Sequence, residues 1–135
     1  MKMDAHLLNG SALAFLGDAA YETEVRLHVA YKGLTNPNDL HKACVPFVEA
    51  KGQALIMKTW LHDLDCLSEE EISYYKRGRN HKAQSKAKNA SVGDYRQATG
   101  FEALMGWLYL SGKMERFQEL VKSAIAIIEG ETDEF

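Results

Sequence analysis

Apolar residues along the chain recur at intervals of three and four, the spacing of helices with a buried face, and no stretch alternates apolar with polar as strands do. From Ser11 to Tyr31 the chain brings Ala12, Phe15, Leu16, Ala19 and Ala20 round at helical spacing, and Gly33 follows as a stop. Asn36-Pro37-Asn38-Asp39 reads as a turn and N-cap with proline in the first helical turn. The helix it opens runs on through Ala54, Leu55, Met57 and Trp60. Pro46 is expected to kink or restart it, because proline removes an internal hydrogen bond. Ser68-Glu69-Glu70-Glu71 has the Ser and Glu of a capping box and starts a third helix through Tyr74 and Tyr75, which Gly78 is expected to end or loosen. Positions 80–90 are polar and basic without an apolar period and read as a loop. Ser91-Val92-Gly93-Asp94 opens a helix to about Ser111, with Gly112 as its C-cap. A last helix over Met114–Ile128 sets Phe117, Leu120, Val121, Ala124 and Ile128 on one side.

These elements predict one all-α domain over 1–135, with its core at about 9–128, and neither an internal repeat nor a linker. Near-continuous apolar stretches (Ala12–Leu16, Leu104–Leu110) imply helices buried on more than one side, part of that burial against a second subunit. Cys44 and Cys66 have no metal-ligand partners at a recognised spacing. A reducing compartment is the simpler expectation, with both in packing or loop roles. No apolar run approaches the roughly 20 residues that span a bilayer. Met1–His6 carries an acid and no apolar segment, so neither a membrane span nor a signal peptide is expected, and the cytoplasm is the expected location.

A net charge of −3 argues against a nucleic-acid binder until its distribution is read. Between Lys76 and Arg96 stand seven Lys or Arg against one acid, Asp94, whereas the tail carries Glu129, Glu131, Asp133 and Glu134. Such asymmetry points to a local polyanion site on an otherwise acidic surface.

Three elements carry candidate chemistry. In Leu13-Ala14-Phe15-Leu16-Gly17-Asp18-Ala19-Ala20-Tyr21-Glu22, Asp18 interrupts an apolar helix, where an unpaired carboxylate costs several kcal/mol. Glu22 lies one turn later on the same face, and two such acids repel unless something positive stands between them. A hard cation such as Mg²⁺ resolves this; so does an Arg26 partner on a solvated face, which is the simpler account of this motif alone. Glu102 is likewise an acid among Phe101, Ala103, Leu104, Met105 and Trp107, where an Arg or Tyr partner is the simpler account of this motif alone. Two such acids on two long buried helices favour a shared metal cage in a helical core. The third element is Lys76-Arg77-Gly78-Arg79-Asn80-His81-Lys82. A helix end suits one or two cations, not seven spread along a polar loop. That density suits phosphates, with Asn adding hydrogen bonds to sugar or phosphate. Few aromatics interleave with it, so A-form duplex fits better than a single-strand stacking groove.

Leu13-Ala14-Phe15-Leu16-Gly17-Asp18 resembles the signature helix of the ribonuclease III family, Leu-Glu-Phe-Leu-Gly-Asp, and Phe101-Glu102-Ala103-Leu104 resembles its second motif, Asp-x-Phe-Glu-Ala-Leu. The two stand in the family's order, about 80 residues apart. Ala14 and Thr99 occupy positions where the family normally has Glu and Asp. The Mini-III branch typically has this reduced acid set, with Pro37-Asn38-Asp39-Leu40-His41-Lys42 and Lys76-Arg77-Gly78-Arg79-Asn80, both present here, and no double-stranded-RNA-binding domain. The resemblance implies a Mg²⁺-dependent endoribonuclease for double-stranded RNA, with Mn²⁺ as a substitute ion. It also implies a homodimer, precursor 23S ribosomal RNA as substrate and a ribosomal protein as accessory. Asp18 and Glu102 match the family's metal-binding acids, and Glu22 offsets part of the lost charge. Arg77, Arg79, Asn80, Lys82 and Lys86 are the expected backbone contacts, with Lys42 and Lys51 as further candidates.

Two other readings compete. The losses at Ala14 and Thr99 suit a catalytically inactive relative that binds RNA or a ribosomal protein. A helical adaptor explains the acids as salt bridges and leaves the basic run from Lys76 to Arg96 unexplained.

Overall fold

The computed structural model describes residues 4–81 and 91–130, which form six α-helices and, among those residues, no strand. Asn9 caps α1 (Gly10–Ala30) by accepting the Ala12 amide, and Gly33, at φ +94°, carries the chain away from its end. Asn36 caps α2 (Pro37–Val48) by accepting the Asn38 and Asp39 amides. The break expected at Pro46 falls at Glu49, whose extended backbone separates α2 from α3 (Ala50–Lys58). Pro46 removes one donor, but Val45 still accepts the Glu49 amide at 2.9 Å, so α2 completes its turn and runs to Val48 before the break. Beyond Lys58 the chain widens into a π-helical turn over Thr59–Asp63, and Asp65 takes a left-handed φ of 46°.

Ser68 forms the anticipated capping box with Glu71 at the start of α4 (Glu69–Arg79). Gly78 does not end that helix. It lies inside it, where a Cβ would come within 2.6 Å of Ala103 Cβ and 2.7 Å of the Thr99 carbonyl oxygen, so the glycine serves close packing of α4 on α5. Ser91 caps α5 (Val92–Leu110), Gly112 turns the chain at φ +74°, and α6 (Met114–Glu129) ends on Gly130.

The centre of the molecule is α5. It packs against α1, α3 and α4, and buries Phe101 and the run from Ala103 to Leu108, which explains an apolar stretch too long for one face. Aromatic rings fill the space around it: Tyr21 meets Phe101 edge-on, Trp60 tilts against Phe101, and Tyr74 stacks on Trp107 at 4.2 Å. Arg116 of α6 holds Glu71 through two hydrogen bonds and the Cys66 carbonyl through a third. Burial pushes the Glu71 carboxyl up, but Arg116 and the Ser68 cap outweigh it and hold it below its usual range. Both cysteines are free, and no helix among the described residues is long and apolar enough to cross a membrane.

Candidate active site

The site begins with two glycines. A Cβ on Gly17 would lie 1.8 Å from the Glu102 carbonyl oxygen, and one on Gly106 would lie 2.0 Å from that of Leu13. The backbones of α1 and α5 therefore cross in direct contact, at a place where any side chain would hold them apart. Asp18 follows Gly17 at this crossing and Glu102 stands opposite it. Their carboxyl groups meet within hydrogen-bonding reach, so acids 84 positions apart share one site.

Such a pair cannot readily carry two charges. Burial pushes the Glu102 carboxyl up, and the charge of Asp18, the hydrogen bond with it and the field of Glu22 push it further, to about 8. The side-chain amide of Gln53 acts in the opposite sense, favouring the carboxylate. Near neutral pH, without a cation, Glu102 holds a proton against Asp18. Asp18 itself opens onto a shallow depression shared with Phe15, Ala19, Glu22, Thr23 and Arg26.

Glu22 is engaged by Arg26, whose Nε donates to Glu22 Oε2 at 2.9 Å with Nη2 on the same oxygen. Glu22 and Arg26 also border a cleft of about 360 Å³ between α1 and α2, lined farther in by Leu40, His41, Cys44 and Val48. Among the described residues no three of His, Cys, Asp and Glu gather into one ligand cluster. What the crossing offers is two carboxylates, one of them open to solvent. That set suits Mg²⁺, which is commonly held by one or two carboxylates with waters and substrate phosphates completing an octahedron. At the two positions without acids, Ala14 is buried and the Thr99 hydroxyl donates to the Tyr95 carbonyl, so neither adds charge.

The basic motif reaches the same stretch of α5, since Gly78 packs on Thr99 and Ala103. Arg77 is partly committed: its Nη1 donates to the carbonyls of His6 and Leu8, and its guanidinium covers the Tyr74 ring. Arg79 lies over Tyr75 and donates to the Asn80 side chain. Arg77, Asn80 and His81 line an open depression with Leu7, Leu8 and Asn9. Lys42 and Lys51 are exposed on α2 and α3, while Lys82 and Lys86 lie outside the described residues. Sequence reasoning passed over Gln53, which is sealed beside Glu102. Its signal was a polar residue on the inner face of α3, between Gly52 and Ala54 and in register with Ile56 and Met57.

Comparison with known proteins places the chain among relatives of one family. The Ribonuclease III domain family matches residues 11–113. The chain is 54% identical to Mini-ribonuclease 3 of Brevibacillus brevis, over 96% of this chain and 94% of that one. It is 46% identical to Mini-ribonuclease 3 of Streptococcus pneumoniae, over 95% and 99%. The crystal structure of a Fusobacterium nucleatum protein superposes with a TM-score of 0.79 at 35% identity, covering 97% of this chain and 99% of the other.

Proposed function

Since the chain belongs to the ribonuclease III family, as a ribonuclease of its Mini-ribonuclease 3 branch, we propose that it hydrolyses double-stranded RNA with Mg²⁺ at the Asp18–Glu102 pair. The observation that carries this reading is the meeting of those two carboxyl groups across the α1–α5 crossing. Asp18 and Glu102 would hold the ion, with Glu22 released from Arg26 or linked through water. When bound, Mg²⁺ supplies positive charge at the scissile phosphate and acidifies the attacking water. Mn²⁺ serves as a substitute.

The chain's own residues do the rest. Glu102 would hold the ion as its carboxylate, with its proton released to solvent, so that both acids could serve as ligands. Arg79, Asn80, Lys82 and Lys86, with the donors Arg77 has left, grip phosphates of the duplex, and Lys42 and Lys51 extend the track. Water attacks phosphorus and the bond to the 3′ oxygen breaks, leaving a 3′-hydroxyl and a 5′-phosphate. The duplex lies across a homodimer with one such site in each subunit. The branch further suggests precursor 23S ribosomal RNA as the substrate, a ribosomal protein to present it, and the cytoplasm as the place of action.

Incubation of the protein with a long perfect duplex, a single strand of the same sequence and precursor 23S RNA tests this. Mg²⁺-dependent cutting confined to duplex regions, with 5′-phosphate ends, is the expected result; cutting that persists in chelator, or prefers the single strand, opposes it. A second reading, an inactive RNA-binding relative, draws on the uncharged Ala14 and Thr99. It would be favoured by salt-sensitive RNA binding without any cutting.

A further inference from the structure

Only two polar or charged side chains belong to the buried set of the described residues, Gln53 and Glu71. Glu71 is accounted for by its capping box and by Arg116. Gln53 is not accounted for by the fold. It is 1% exposed, and its Nε2 completes no hydrogen bond. A buried primary amide brings two N–H donors into a medium without water, and leaving them unmet is costly. An apolar side chain of the same size would serve the packing of α3 on α5 better. The amide also lies close enough to Glu102 to favour its carboxylate, while the Glu102 carboxyl is engaged with Asp18. A buried donor without an acceptor, set beside a carboxyl group of the site, is suited to orienting that group.

We propose that Gln53 is a positioning residue of this site: its side-chain amide donates to Glu102 and fixes the orientation in which Glu102 and Asp18 grip a divalent cation. The inference rests on the reading of that pair as a Mg²⁺ site. A residue that orients a metal-binding carboxylate typically changes metal affinity or activity by roughly 10- to 100-fold when removed. No cation is needed to see its structural side, because deleting an unmet buried donor relieves the fold.

The test is Gln53→Met, which keeps the length and bulk and removes the amide. Without metal it should melt at or above the wild-type temperature. By calorimetry its Mg²⁺ affinity should fall roughly 10- to 100-fold, and kcat on duplex RNA should fall with KM unchanged. Mg²⁺ affinity equal to wild type in a folded variant overturns the inference. If Gln53→Met does not fold, the side-chain amide resonances of Gln53 in the wild-type protein decide. They should move as Mg²⁺ is added and stay fixed in Asp18→Asn; resonances that never move overturn the inference. Wild-type protein that takes up no Mg²⁺ overturns the reading of the acid pair itself, and this inference with it, a result distinct from a normal site in Gln53→Met.

Discussion

The proton on Glu102 links the site to the stability of the molecule. Unfolded, this carboxyl titrates near 4.5; folded beside Asp18 it titrates at about 8. The folded state therefore binds the proton more tightly, and ionisation costs stability between those two values. Metal-free protein should lose stability as pH rises from about 5 to about 8 and level off above. Glu102→Gln should flatten that part of the profile, and Mg²⁺ should offset the loss by favouring the ionised pair. Thermal melts at several pH values, with and without Mg²⁺, check the sign; melting temperature rising through this window in metal-free protein would contradict it. Asp18 and Glu102 stand out in the sequence as acids inside apolar helices; each alone has an ordinary salt-bridge account, and it is their occurrence together in two motifs that singles out the pair. Gln53 carries no charge and did not stand out, although its helical register placed it inside. The hold of Arg77 on the carbonyls of His6 and Leu8 spans about 70 residues, so no local pattern announces it.

At the scale of elements, the crossing of α1 and α5 positions the chemistry, and it depends on what Gly17 lacks. Exchange of a helical glycine for alanine normally favours a helix by up to about 1 kcal/mol. Here the added methyl would meet the Glu102 carbonyl oxygen at 1.8 Å and force the helices apart. Gly17→Ala should cost a net of about 1–3 kcal/mol, the usual range for overpacking, and lower Mg²⁺ affinity as the carboxyls separate. Denaturant unfolding and calorimetry would show this, and an unchanged or raised midpoint would count against so close a crossing. The helix starts were readable because caps are local: Asn36, Ser68 and Ser91 each accept amides two or three residues on. What local pattern could not reach was set by packing. The break falls at Glu49, whose backbone is extended, with Gly52 then packed against the Pro46 carbonyl, and Gly78 stays helical where α5 lies against it.

The whole molecule leaves apolar surface uncovered beside its acids. Phe15 is 78% exposed next to Asp18, and Tyr31, on the residue that ends α1, is 87% exposed. The excess of apolar residues on α1 that pointed to a second subunit is thus partly unburied within one chain, and the proposed homodimer gives it a place. Phe15→Glu should shift the protein from dimer to monomer in sedimentation velocity and reduce cutting; a dimer that persists would move the interface elsewhere. Charge at this scale is divided between the basic end of α4, whose Gly78 packs on α5, and the acid pair at the α1–α5 crossing. The direct test of that division is cleavage of one long duplex RNA by wild-type protein, Asp18→Asn and Glu102→Gln, each with Mg²⁺ or chelator, beside salt-dependent binding of the same RNA. Discrete fragments should come only from wild-type protein with Mg²⁺, while both variants bind the duplex with the wild-type salt slope. Intact RNA in the wild-type lane, or fragments that survive loss of either acid, would contradict the assignment of catalysis to this pair.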